Sequence, residues 1–547
     1  MYRMSRREAL VAAGAASLWL AGCSSAGAKK SGLNLSANKV GAMGSFGVGD
    51  QFKATKSLTF PILHLTNPGY PLKKDWLFWS ELTKRTNVTL DTTEVPLSDY
   101  ENKRSLLIGS GQAPLIIPKT YPGQEAPFVA SGVALPVSDY IDLMPNFKDK
   151  VAKWNLGGDL DTLRQADGKF YLLPGLHQDV WTDYSLAVRT DVLTKMNLKV
   201  PTTWDEVRTL LQSLKSGGAT STYPFSDRWG VPTPGGNLLN IIGQAYGAPG
   251  GWGYANATWD TKAKKYVFTG AMDQFKQMLQ FLHSLVADKL LDPESFTQSD
   301  DNAIQKFVSG KSLVISTNAQ TVVNPYRTNL TTSIPGATVV KIPVPIGPMG
   351  AVKAGSRLEN GVMVLKKARD SENFVAMMQF IDWLWYSDAG QVFSKWGVEG
   401  VTYTGSVEAG TLKLAPDVNW AGLNPSGTKL LNKDFGFFNG VFAYGGSTKL
   451  LNTQFPAEEQ AFQKVMTGRK TLPVAPPYPF TADEREQATL WETPLKDYVT
   501  QNALKFILGQ RDFGQWDAYV NELKGKNSGA YIDLVNKAQQ RFAKTKG

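Results

Sequence analysis

Between residues 58 and 117, short apolar runs of strand type alternate with helical runs, and this order constrains the fold more than any other feature of the chain. Residues 58–65 read as a strand, 76–85 as a helix, 88–94 as a second strand, 100–109 as a second helix and 115–117 as a short buried strand. Such a succession makes an α/β protein with a mainly parallel sheet and helices on its faces. Farther along, Thr203 and Glu206 have the spacing of a capping box, and Val207, Leu210, Leu211 and Leu214 continue it as one apolar stripe. Residues 272–290 read as another helix and 312–316 as another strand. Residues 374–386 are apolar on nearly every face, the pattern of a helix buried between layers. Thr481 and Glu484 form a second capping box, ahead of a helical C-terminal region that Pro494 and Gly509 should break. No fixed-period repeat is present, which argues against solenoids and propellers.

Cys23 is the only cysteine among 547 residues, so no disulfide can brace the fold. It ends the pattern Leu20-Ala21-Gly22-Cys23, behind a basic start at Arg6-Arg7 and an apolar run over residues 11–20. In that order the three regions read as a bacterial lipoprotein signal: residues 1–22 are a signal peptide and Cys23 takes the lipid. The competing reading is an apolar first helix with an idle cysteine. The run is too short to span a bilayer, so the expectation is a lipid anchor to the cell membrane, at the bacterial surface or periplasmic face. Arg6-Arg7 resembles a twin-arginine export signal, with Ala9 where a bulky apolar residue is expected. Residues 23–56, rich in Gly, Ala, Ser and Lys, read as a flexible tether.

The 58 basic and 48 acidic residues give a net charge of +10, which becomes +8 when Arg3, Arg6, Arg7 and Glu8 leave with the signal. No Lys/Arg cluster tracks a phosphate backbone, so nucleic acid is not an expected partner. The glycine-rich stretch 41–49 lacks the Gly-Lys-Ser/Thr helix start of a phosphate loop. His64, His177 and His283 are scattered and no Gly-x-Ser-x-Gly elbow occurs, so neither a metal nor another cofactor is expected. Carboxylate pairs for glycoside hydrolysis are set only in three dimensions, which leaves an exported glycosidase or lyase open.

The chain carries 15 Trp, 19 Tyr and 26 Phe, several in Gly/Pro-rich segments. Sugars present apolar C–H faces and polar rims, so flat aromatic rings beside carboxylates and amides suit them. Candidates of this kind are Asp179 and Trp181, Trp229, and Trp252 with Tyr254, where flanking glycines argue against a regular core element. Trp396, Glu399 and Tyr403 form another group, for which a packed helix end is an equal reading. At strand ends Asn67, Tyr70, Tyr121 and Asn318 are candidates, because ligands of open α/β sheets gather there. Arg189 reads as half of a structural ion pair with Asp191 or another acid.

Several landmarks together resemble the family 1 extracellular solute-binding lipoproteins of bacterial carbohydrate importers. They are residues 106–114, Asp167-Gly168-Lys169-Phe170-Tyr171, residues 188–193, the helix start at 201–206, and Phe307-Val308-Ser309-Gly310-Lys311. Ser387-Asp388-Ala389-Gly390, residues 396–403, and residues 498–509 with 516–520 complete the set, the last resembling long members that bind aldouronate or alginate oligosaccharides. The resemblance implies a two-lobed periplasmic-binding-protein-like fold with a hinge, a central ligand cleft and extra C-terminal helices. On that basis residues 57–183 with 343–395 form lobe 1, residues 184–342 with 396–547 form lobe 2, and the chain crosses near Tyr184, Pro343 and Trp396. It further implies a monomeric, non-enzymatic receptor that passes an oligosaccharide or acidic saccharide to ABC permease subunits. A peptide-binding receptor is the other alternative. Where long relatives carry a calcium loop, residues 215–224 hold no carboxylate, and hard calcium needs several oxygen ligands.

Overall fold

The computed structural model describes residues 35–67, 71–230 and 233–546. Cys23, the signal, the first part of the expected tether and Tyr70 lie outside them. Leu58–Thr66 pairs in parallel with Val88–Pro96 from Leu58 opposite Val88 to Thr66 opposite Pro96. Ile116–Thr120 adds to its other side in parallel, Leu358–Val364 runs antiparallel beside that, and Leu172–Leu176 completes a five-stranded sheet. A sheet of this kind buries both faces. Phe374–Tyr386 supplies one cover, with all 13 residues buried as its all-round apolarity requires. Phe380 meets Phe60 of the first strand at 5.6 Å between ring centroids, and Asp382 accepts from Asn146 N, Asn146 Nδ2 and Phe147 N at 2.8–2.9 Å. That carboxylate thereby takes up orphan amides in the first turn of Pro145–Lys153.

A second sheet has three strands, with Ser185–Arg189 at the centre and Val314–Thr317 and Val339–Lys341 antiparallel on either side. Both capping boxes form, at Thr203/Glu206 and Thr481/Glu484. The expected break at Pro494 does not occur, since Ala482–Ile507 is one helix of 26 residues. Pro494 and Leu490 are exposed, so the Leu490 carbonyl that loses its partner faces water. The helix stops just before Gly509, whose φ of 71° favours glycine.

The buried side chains form two main cores. One joins residues 52–176 to 358–444, the other residues 186–344 to 462–538. Residues 396–444 were expected with the second lobe; from Val418 to Tyr444 they pack on the first core, because Phe442 stacks on Phe78 at 4.6 Å and Phe437 sits beside the same ring at 5.8 Å. The third crossing therefore runs over residues 445–461 and not at Trp396. The expected tether is also corrected in its second half. Asn38 Nδ2 donates to Arg369 O and Ser371 O, Met43 N donates to the Gln379 side chain, and Phe52 is fully buried against Phe380. Partners more than 300 residues away leave no local pattern to read.

His64 lies in the first strand with Trp76, Trp79 and Phe442 around it at 5.8–6.3 Å, and neither ring nitrogen has a hydrogen-bonding partner among the described residues. Burial pushes its imidazole from 6.5 down to about 4. Above pH 6.5 the ring is neutral in folded and unfolded chains alike. As pH falls from 6.5 toward 4 the unfolded chain takes up a proton that the fold excludes, so stability drops by about 3 kcal/mol in total. Urea unfolding at pH 7.5 and 4.5 should show a smaller acid loss for His64→Phe than for the parent protein; equal losses would refute this assignment.

Candidate functional site

On each sheet one edge, made of strand ends, adjoins the segments that run between the two sheets. On the first sheet that edge carries Pro96, Asn67, Tyr121, Glu359 and His177, the residues at or next to the ends of neighbouring strands. On the second it carries Tyr184, Asn318 and Lys341. Residues 177–184, 342–357 and 445–461 connect the two, so whatever these edges enclose lies in a cleft at the junction. Asn67 borders a groove of about 520 Å³ with Thr66, Glu94 and Pro96 at the outer end of the first edge.

The crossings are stitched together at both ends. At the first sheet His177 N donates to Arg357 O and Gly446 N to Leu176 O, both at 2.8 Å, while Glu359 meets His177 Nε2 at 3.1 Å and Gly445 N at 2.8 Å. Burial alone would raise the Glu359 carboxyl, yet the His177 imidazole, the Gly445 amide and Lys395 hold it down at about 2. At the second sheet Lys341 Nζ bonds both Glu459 oxygens at 2.8 and 3.0 Å, and Gln463 Nε2 ties Glu459 to Thr182 O.

Between these ends sits a trio of rings. Tyr184 meets Trp229 and Trp252 at 5.5 Å each, edge to face, and the two indoles are 5.7 Å apart. Trp252 is 43% exposed. Trp229 adopts a left-handed φ of 61°, a strained state for a bulky residue. Asp300 holds it there, accepting from Trp229 N at 2.9 Å and from Arg228 at 2.8 Å, while the Arg228 guanidinium lies 4.3 Å over the indole. Asp183, next to Tyr184, is half-buried. Burial pushes its carboxyl up, Lys341 and the Ala319 amide pull it down, and Glu359 pushes it up again. Tyr184 is raised by burial, by Asp183 and by Tyr121 and drawn back down by Asn318, while Tyr121 is raised by burial and by Glu359. These mutual influences bring Tyr121, Asp183, Tyr184, Asn318 and Glu359 to one site.

Other expected residues are engaged in packing or in side-chain bonds. Trp396 is 2% exposed, donates to Thr453 Oγ1 and packs with Tyr403 and Leu450, so neither ring offers a free face; Glu399 is exposed on the turn between them. Tyr254 turns onto Phe275 with its hydroxyl buried. Asp179 accepts from Thr448 Oγ1 and Trp181 stacks on Phe455, which makes both part of the stitching between the first and third crossings. Arg189 pairs with Asp191 at 2.7–2.8 Å, at the far end of its strand. In the carboxylate-free loop, Thr220 Oγ1 donates to Lys311 O at 2.7 Å. Sequence reasoning missed Asp183 and Glu359. The one signal was a carboxylate heading an apolar strand.

Two α/β bodies, three crossing segments and an aromatic, carboxylate-bearing junction define a cleft receptor. The chain belongs to the bacterial extracellular solute-binding protein family, whose model matches residues 70–392. Among curated relatives it is 26% identical over 248 residues to the fructooligosaccharide ABC transporter substrate-binding protein FusA of Streptococcus pneumoniae, a match covering 42% of this chain and 44% of that one. It is 21% identical over 481 residues to the polygalacturonan/rhamnogalacturonan-binding protein YtcQ of Bacillus subtilis, covering 85% and 88%. Among solved structures, the alginate-binding protein AlgQ2 without calcium ion superposes with a TM-score of 0.69 at 20% identity, over 90% of this chain and 99% of that one. FusA in complex with kestose gives 0.62 at 20% identity, over 89% and 100%. The two-lobed fold expected from the sequence is thereby established.

The ring trio depends on close backbone approach. A Cβ on Gly236 would lie 2.4 Å from Trp252 Nε1 and 2.7 Å from Trp229 O. Gly236→Ala should displace Trp252, seen as a changed near-ultraviolet dichroism and indole emission with the far-ultraviolet spectrum unchanged.

Proposed function

We propose that this protein captures oligosaccharides outside the cytoplasm and delivers them to the membrane permease of an ABC importer, without chemistry on the ligand. The observation that carries this reading is the cluster of Tyr184, Trp229 and Trp252 beside the carboxylates of Asp183 and Glu359 at the junction of two bodies. Rings of this kind stack on the apolar faces of sugars, and carboxylates accept from their hydroxyls. Tyr121, Asn318 and, farther out, Asn67 complete the proposed lining. Five strands separated by four gaps give the first edge a length of about 19 Å, which suits an oligomer better than a single sugar. The substrates named for FusA, YtcQ and AlgQ2, all of them saccharides, support the same class. Lobe closure about the three crossings traps the ligand, the protein acts as a monomer, and Cys23 carries the lipid that keeps it at the membrane after export, by the twin-arginine route if Arg6-Arg7 is read so.

Trp252→Ala should weaken oligosaccharide binding by about 1 to 3 kcal/mol in calorimetry with an unchanged melting temperature, because an exposed platform contributes to the ligand and little to the core. Trp396→Ala should do the reverse, lowering the melting temperature first. An unaltered affinity in the Trp252 variant removes the platform from the site. For the anchor, metabolic acyl labelling should mark the parent protein and leave Cys23→Ala unlabelled in the membrane-free fraction or as a longer precursor.

A further inference from the structure

Resting on the receptor reading above, we propose that the cleft selects uncharged oligosaccharides and discriminates against uronic ones. The ground is the layering of charge at the junction. Glu359 keeps 35% of its side chain accessible and Asp183 is half-buried, and both stand where strand ends meet the crossing segments. The groups that balance them lie behind or are already engaged. The His177 imidazole is taken by Glu359 at 3.1 Å, Lys395 is 2% exposed, and Lys341, its side chain 1% exposed, is engaged by both oxygens of Glu459. A ligand therefore meets negative oxygens first, in a recess where water screens poorly, and an added carboxylate is repelled by two charges that already repel each other.

The guanidinium groups that would offset this are committed. Arg228 is held by Asp300, Arg104 by Glu101 and Arg357 by Asp159. Arg189 grips Asp191 with two bonds, and the five residues from Tyr184 place it roughly 17 Å along the strand from the ring trio. Lys119 stands at the cleft edge, its Nζ 5.7 Å from the Tyr121 ring. Lys119 is half-buried and Tyr121 is 46% exposed, so one ammonium at the more exposed end of the site stands against two carboxylates. Asp183 and Glu359 remain suited to neutral sugars, since hydroxyls donate to carboxylates in short, charge-assisted bonds.

The experiment is titration calorimetry of the full mature chain with matched probes: tetragalacturonate and its methyl ester, tetramannuronate and its methyl ester, and neutral kestose, xylotetraose and maltotetraose. Neutral or esterified probes should bind, with the free acids at least about tenfold weaker and the gap narrowing at high salt, as charge repulsion requires. In Asp183→Asn, an isosteric change that keeps an acceptor, the ratio between ester and acid affinities should fall by about tenfold, whatever the absolute affinities become. A free acid that binds as tightly as its ester, or more tightly than every neutral probe, overturns the proposal and leaves the receptor reading standing. Failure of every saccharide to bind overturns both. An unchanged ester-to-acid ratio in Asp183→Asn together with Glu359→Gln, both still folded by circular dichroism, removes these carboxylates as the source of selectivity and overturns the proposal too.

Discussion

Glu359 and Lys341 anchor the two ends of the passage between the lobes. Glu359 gathers the starts of all three crossings through His177, Gly445 and its own strand. Lys341 does the same at the other end through Glu459, Gln463 and Thr182. Lys341 and Glu459 are both buried, and burying such ions costs several kcal/mol unless every partner is in place, so that cluster tolerates only one arrangement of the segments it joins. Between the clusters, Asp179 with Thr448 and Trp181 with Phe455 join the first and third crossings.

The same construction sets the character of the site. Because both sheets point one edge at the junction, residues from the ends of unrelated strands meet there, and the cleft needs no long loop to close it. Trp229 pays for its place with a left-handed backbone, and the Asp300 carboxylate makes that conformation durable by binding both its amide and the guanidinium above its ring. Gly236 and Gly251 contribute by absence: with φ of 55° at Gly251 and no Cβ on either, the loop bearing Trp252 lies directly on the neighbouring helix. A platform held from behind in this way is ordered before ligand arrives, so less conformational entropy is lost on binding.

The first lobe is stabilised by more than its sheet. Residues 35–57 wrap over Phe374–Tyr386 and send Phe52 into the core, so the globule begins well before its first strand. At the other limit, residues 396–444 contain hardly any regular structure, only two-residue strands, yet they deliver Phe437, Phe442 and Tyr444 to the same core. Aromatic burial does there what backbone ladders do elsewhere.

What the sequence determined by itself was whatever local chemistry dictates. The strand and helix order from residue 58 to 120, both capping boxes and the all-apolar helix at 374–386 were legible because period, cap and stripe act within a few residues. Tyr121 and Asn318 were legible as candidates because strand ends are, and Trp252 because glycines isolated it. Tertiary structure alone decided the rest. Tyr254 shared a glycine-flanked setting with Trp252 and Trp396 stood at a helix end open to either reading, but packing turned both inward. Pro494 was a helix breaker until its orphaned carbonyl was given water to face. Asp183 and Glu359 became a site only when two sheet edges met, because electrostatic partnership between residues 176 positions apart depends on distance through space, and distance through space is set by the fold.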